Sequence, residues 1–309
     1  MSMSPAAIRK DLRRRFRGTG SALLLYYGIM NLIAVGAGVG IGLDMGKSSM
    51  AVINEAMGFC YLVATTLGLL ILFGKHKKGT LKGILLWKKR TMKPISFMKI
   101  LCVFLSVQLG SFILNTIVEM LLNSMGYSMF EALEQSQSDS FTMYLYASIS
   151  APVTEELLFR GLLLRYMRPY GRKFAILTSA FMFGIFHGNF TQIPFAFIVG
   201  LILGYVALEY NITWAMVLHM INNLLLADGL NRITFHMSEG QSTLIFLAII
   251  FAFAVAAVVI LIVDRKKIAA YLKPEPINKL CVQAFFSTPN IIIMILISLF
   301  SAWFMITPI

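Results

Sequence analysis

Charged side chains are scarce in this sequence. Only 13% of its 309 residues are Asp, Glu, Lys or Arg, whereas 58% are hydrophobic, and the mean hydropathy is +0.78. Ordinary soluble domains carry about twice as much charge. The shortage of charge therefore excludes an ordinary soluble fold and predicts an integral membrane protein that crosses the bilayer several times.

Cysteine is also rare. Cys60, Cys102 and Cys281 are too few and too scattered to build a disulfide framework or a cysteine zinc site. The sequence contains no repeat, no low-complexity tract and no His-Glu-x-x-His motif, which marks many zinc peptidases. We interpret the chain as a basic N-terminal segment, 1–20, followed by a single transmembrane helical domain, 21–309.

Acidic residues are about half as frequent as basic ones, 14 against 27, which gives a formal net charge of +13. The basic residues lie mainly between hydrophobic runs, in 1–20, 75–93, 165–173 and 264–279, as topology signals do. We therefore expect no nucleic acid partner.

The segment 123–141 contains no Lys or Arg. If successive runs cross the membrane, the basic segments share one side, and the positive-inside rule predicts a cytosolic N-terminus in the cell membrane.

Nine hydrophobic runs approach the ~20 residues that a membrane-spanning helix needs. The predicted spans are 21–43, 53–73, 97–122, 142–164, 174–193, 194–210, 212–227, 243–263 and 290–307. If the last run lies on the membrane surface, the number is eight. The predicted fold is thus all-α, a polytopic bundle of eight or nine transmembrane helices.

Three ionisable residues interrupt the run 142–164: Glu155, Glu156 and Arg160. Such groups cost roughly 2.5–3.5 kcal/mol each at membrane depth, so they usually face a partner or a wet cavity. Glu156 and Arg160 are four residues apart, which predicts an ion pair on one helix face. Glu155 points about 100° away and has no partner nearby in the sequence. It is therefore a candidate general base.

Two further runs contain histidines. His187 ends Phe-Gly-Ile-Phe-His, and His219 shares a helix face with Asn223, whereas Asn222 is expected to bond to a neighbouring helix. A buried imidazole needs a polar partner. If these helices meet Glu155, that carboxylate and one imidazole can activate water, while the second imidazole and the amide donate to an oxyanion.

A simple arrangement of spans places Glu155 in the inner half of its helix and His187 in the outer half of the next. A shared site therefore requires one helix to tilt or to be interrupted. Pro152 is three residues before Glu155 and is the expected position of such a break, because proline removes a helical hydrogen bond.

The motifs Glu-Glu-x-x-x-Arg, Phe-x-x-x-His and His-x-x-x-Asn resemble those of the CPBP family. These are the CAAX-processing and bacteriocin-immunity (Abi) intramembrane proteases, which include prenyl-protein endopeptidases. The motifs lie within about 140–227, the expected catalytic core. The resemblance implies an endopeptidase acting on hydrophobic or lipidated peptides in the lipid bilayer.

The resemblance also implies a role for each motif residue. Glu155 would activate water with the help of His187. His219 and Asn223 would stabilise the oxyanion. The catalytic residues are then Glu155, His187, His219 and Asn223, and the supporting residues are Glu156 and Arg160.

The requirement for a metal is left open. Glu155, His187 and His219 are a plausible ligand set for a divalent metal such as zinc, although a water activated by glutamate needs no ion.

Two other functions are left open as well. One is a bacteriocin-immunity or partner-binding protein on the same scaffold that does not rely on catalysis. The other is a proton-coupled transporter, which would predict an inverted repeat that the sequence does not show.

Overall fold

A computed structural model describes residues 5–44, 50–74, 80–87, 89–129, 140–227, 234, 236–273 and 277–309. Residues 75–79 of the basic segment and 130–139 of the segment without Lys or Arg lie outside the described residues. The described chain is nearly all α-helical, which confirms the predicted fold class.

The helices are numbered here in chain order. They are α1 Pro5–Asp44, α2 Met50–Gly74, α3 Thr80–Leu86, α4 Pro94–Ser124, α5 Phe141–Leu145, α6 Ala151–Glu156, α7 Leu164–Met167, α8 Arg172–Phe186, α9 Gln192–Glu209, α10 Ile212–Asn222, α11 Glu239–Val263, α12 Arg265–Tyr271, α13 Lys279–Phe286 and α14 Pro289–Phe304. Two short strands, β1 Tyr127–Ser128 and β2 Thr307–Pro308, pair antiparallel, with Tyr127 opposite Pro308.

Helices α5, α6 and α7 form one continuous helical run. Wide π-helical turns at Tyr146–Ser150 and Leu157–Leu163 separate the three α-helical pieces. Pro152 lies in α6, just after the first wide turn. The interruption expected at Pro152 therefore takes the form of a π-helical turn, which accommodates the missing N–H without ending the helix.

Four helices in the described part of the chain are long and apolar enough to cross a bilayer: Asn54–Gly74, Pro94–Ser124, Gln192–Glu209 and Gly240–Val263. Helices α13 and α14, bent by 64° relative to each other, give a fifth if they count as one span. The several apolar helices support a multi-pass membrane protein, but the predicted eight or nine spans are not confirmed.

The difference in number arises partly because a hydrophobic run is not the same as a helix. The predicted span 174–193 lies mostly on α8, which has 15 residues and reaches only ~22 Å at 1.5 Å per residue. After Phe186 the run passes through a tight turn, where Gly188 has a φ of +57°, into the first residues of α9. Helix α10 is shorter still, with 11 residues. Both helices are mostly buried.

The hairpin of α8 and α9 is closely packed because of its glycines. A Cβ atom added to Gly200 would lie 3.0 Å from the Cα atom of Ala180, and one added to Gly204 would lie 3.3 Å from the side chain of Ile176. Such small residues let helix backbones approach closely in membranes. The hairpin thereby brings the end of α8 and the middle of α9 against the helical run that contains Glu155.

From Pro5 onward, the basic N-terminal segment is helical and continuous with the predicted first span, because α1 extends without a break across residue 20. Leu12 and Phe16 have no exposed surface. The ring of Phe16 packs against Phe174 and Phe285, at centroid distances of 6.2 and 5.2 Å. These contacts hold the segment against the helical core.

The contact between α2 and α5 leaves no room for a side chain at Gly58. An added Cβ would lie 2.3 Å from the backbone nitrogen of Met143. We predict that Gly58→Ala lowers the free energy of unfolding by about 1–3 kcal/mol, because the two helices must move apart. Gly110→Ala is the control, since nothing lies within 4 Å of that position. Thermal unfolding in detergent measures both, and equal stability of the two variants would contradict this contact.

Candidate active site

The centre of the site is a buried ion pair on the helical run. Arg160 Nη1 donates to Glu156 Oε1 at 2.9 Å, and neither side chain has exposed surface. Arg160 Nη2 also donates to the carbonyl oxygen of Gly200 at 3.2 Å, and the guanidinium lies 4.2 Å from the ring centroid of Phe183. The ion pair predicted from the four-residue spacing is present, and it joins the run to α8 and α9.

His219 lies against both glutamates. Its Nδ1 is 3.2 Å from Glu156 Oε1, and its Nε2 is 3.8 Å from Glu155 Oε2. A carboxylate only accepts hydrogen bonds, so the hydrogen of this contact belongs to His219 Nδ1. The other nitrogen, Nε2, faces Glu155 at a distance beyond a direct hydrogen bond.

The two adjacent glutamates have different environments. The Glu156 side chain is 0% exposed and is bound by Arg160 and His219, whereas the Glu155 side chain is 16% exposed. Glu156 is therefore placed to organise the surrounding side chains. Glu155 is the carboxylate that solvent or substrate can reach.

His187 follows the last residue of α8 and is half-buried. Its Nδ1 is 2.8 Å from the carbonyl oxygen of Phe183. Since a carbonyl only accepts, Nδ1 carries the hydrogen, and Nε2 of the neutral ring can accept one. Glu155 and His219 both lie within electrostatic range of this imidazole.

The ring of Phe183 connects the two histidines. It makes edge-to-face contacts with His187 and His219, at centroid distances of 4.9 and 5.6 Å. His219 also approaches Glu155, so the structure brings two imidazoles to a single aromatic ring and one of them to a carboxylate. The three helices that were expected to meet therefore do so.

Asn223 begins the π-helical turn Asn223–Ala227 after α10. Its Nδ2 donates to the carbonyl oxygen of Ala147 at 2.8 Å, and its Oδ1 accepts from Asn222 at 3.0 Å. Asn222 Oδ1 accepts from Gln108 of α4 at 2.9 Å, which confirms that Asn222 bonds to a neighbouring helix. An NH2 group has two hydrogens, so Asn223 can donate one further bond.

Sequence reasoning missed three residues around this site. Phe183 is the first residue of the Phe-x-x-x-His motif, so the motif itself contained the signal. Gln108 is an amide within the apolar run 97–122, and a polar residue at that depth was a usable signal. Tyr26 of α1 lies beside Thr154 and within electrostatic range of Glu155, and no local pattern indicated that proximity.

The metal site that the sequence left open is not assembled by these residues. In the part of the chain that the structure describes, no three His, Cys, Asp or Glu side chains form a group that could hold a metal ion. Glu155, His187 and His219 are all described and do not form such a group. The proposed mechanism therefore assigns no step to a metal.

Fold and site together define a class: a multi-pass helical membrane protein with a carboxylate, two imidazoles and an amide gathered beside a buried ion pair. Residues 137–225 match the family model described as type II CAAX prenyl endopeptidase Rce1-like, a model of the CPBP family. The resemblance seen in the sequence is thereby confirmed. The match covers less than a third of the chain. No curated protein and no solved structure matches.

Removing the cation of the buried pair should be costly. We predict that Arg160→Ala lowers the free energy of unfolding by about 3–5 kcal/mol, because Glu156 is left as an uncompensated buried charge. Arg14→Ala is the control: Arg14 is 82% exposed and pairs with Asp11 at the surface, so its loss should cost at most about 1 kcal/mol.

Protein yield and the midpoint of thermal unfolding measure both arginine variants. If Arg160→Ala and Arg14→Ala are equally stable, the ion pair does not hold the site together.

Proposed function

We propose that the chain is an intramembrane endopeptidase of the CAAX type, which hydrolyses peptide bonds of hydrophobic or lipidated peptides. The observation that supports this most is that His187 and His219 contact the same ring, Phe183, and that His219 also approaches Glu155. The family match of residues 137–225 supports the class of reaction. We further propose that the protein lies in the cell membrane with its N-terminus in the cytosol, as the basic segments indicate.

Glu155 is proposed to take the proton from the attacking water. Its carboxylate is partly exposed, and Arg160 neutralises the adjacent Glu156 instead. His187 Nε2 can accept a second hydrogen bond from the same water, because its Nδ1 hydrogen is held by Phe183. The water oxygen then bonds to the peptide carbonyl carbon, and one proton moves to Glu155. When the C–N bond breaks, that proton goes to the leaving amine.

His219 and Asn223 are proposed to stabilise the negative oxygen of the tetrahedral intermediate. The Nδ1 hydrogen of His219 is directed at Glu156, so Nε2 can donate only when the ring is protonated. Asn223 contributes the hydrogen that it does not give to Ala147. Removing one donor of this kind typically costs about 10²–10³ in kcat.

A peptide-cleavage assay on the purified protein in liposomes tests the proposal. The panel contains prenylated and unlipidated hydrophobic peptides. We predict that Glu155→Gln and His219→Ala each lose at least about 10²-fold in kcat. Glu119→Gln is the control, because Glu119 is a glutamate of α4 that binds Ser128 and Met129, away from the site. A chelator is expected to leave cleavage unchanged, since the described residues offer no three-ligand set.

Full cleavage by Glu155→Gln would contradict the proposed role of this carboxylate. The competing function is immunity or partner binding on the same scaffold, without catalysis. It would be favoured if well-folded wild type cleaves no peptide and Glu155→Ala still confers a bacteriocin-immunity phenotype in cells.

A further inference from the structure

Asn223 is held at the end of a chain of three side-chain amides. Gln108 Nε2 donates to Asn222 Oδ1 at 2.9 Å, Asn222 Nδ2 donates to Asn223 Oδ1 at 3.0 Å, and Asn223 Nδ2 donates to a backbone carbonyl at 2.8 Å. Asn222 and Asn223 each accept with Oδ1 and donate with Nδ2. If Asn223 were flipped, NH2 would face NH2 at one end and oxygen would face oxygen at the other. The chain therefore selects one orientation of the Asn223 amide.

The carbonyl that receives this bond is available because of Pro152. In the π-helical turn Tyr146–Ser150, the N–H of Ala151 bonds to the carbonyl oxygen of Tyr146, five residues earlier. By the same spacing, the donor for Ala147 would be residue 152, but proline has no N–H. A buried carbonyl is normally paired. The Nδ2 of Asn223, on another helix, supplies the missing donor.

We propose that Gln108 and Pro152 are positioning residues for the active site, and that together they fix the direction of the second Asn223 N–H. Gln108 acts through Asn222. Pro152 acts through the carbonyl of Ala147, which it leaves without a backbone donor and therefore available to Asn223. The inference rests on the proposed function, in which that N–H binds the oxyanion. Gln108 lies in α4, outside the segment 137–225 that matches the family model, so this contact couples a flanking helix to the catalytic domain.

The first test is kinetic. Gln108→Met keeps the length of the side chain but cannot donate to Asn222. We expect kcat to fall about tenfold while KM changes less than about twofold, because a misdirected donor affects the oxyanion more than the bound substrate. Pro152→Ala adds an N–H that competes for the Ala147 carbonyl. The same fall in kcat, with little change in KM, is expected. Unchanged kcat in both variants would overturn the proposal.

Ser106→Ala is the matched control. Ser106 is in the same helix as Gln108, is also half-buried, and donates only to the carbonyl oxygen of Val103 in its own helix. It should keep the wild-type kcat and KM. An equal loss in Ser106→Ala and Gln108→Met would mean that any polar truncation of α4 has this effect, and would overturn the specific role of Gln108.

The second test does not need activity. In a double-mutant cycle, the unfolding midpoints of Gln108→Met, Asn223→Leu and the double variant are compared. If the amide chain links the two residues, the double variant loses less than the sum of the single losses. Additive losses would overturn the proposal even if no peptide is cleaved. Non-additive losses in a protein that cleaves nothing would support the amide chain and contradict the proposed peptidase function instead.

Discussion

The buried pair of Glu156 and Arg160 is the interaction on which the site depends. Two buried charges are tolerated only because each satisfies the other, and either one alone would be expensive. Both residues also contact other helices: Glu156 Oε1 accepts from His219 of α10, and Arg160 binds the carbonyl of Gly200 in α9 and stacks on Phe183 of α8. The buried polar groups are thus among those that bring the helices together.

Irregular backbone is the second constraint. Glu155 and Glu156 lie in a short α-helical piece between two π-helical turns, and π turns often occur at functional sites. The wide turn before Pro152 leaves the Ala147 carbonyl for Asn223, and α10 in turn becomes π-helical at Asn223 itself. The two irregular turns meet at this hydrogen bond. A regular helix would have used the Ala147 carbonyl internally.

Local spacing was sufficient to predict some of this site but not all of it. The pairing of Glu156 with Arg160 follows from their separation of four residues, since both partners are on one helix. The contact of His219 with Glu156 spans 63 residues, and it depends on how α10 packs against the helical run. The predicted number of spans is not confirmed for a similar reason, because hydropathy does not distinguish the helix α8 from the apolar turn that follows it. Hydrophobic runs thus predict the fold class, whereas packing decides lengths and partners.

The division of labour between two identical neighbours shows how packing creates chemistry. Glu155, Glu156 and Arg160 carry a formal net charge of −1 when both carboxylates are ionised. Arg160 neutralises the carboxylate with no exposed surface, so the excess charge resides on Glu155, which is 16% exposed and faces His219 Nε2. A negative charge at that point favours proton transfer from water. The ion pair therefore does more than hold the helices: by occupying Glu156, it leaves Glu155 as the reactive carboxylate.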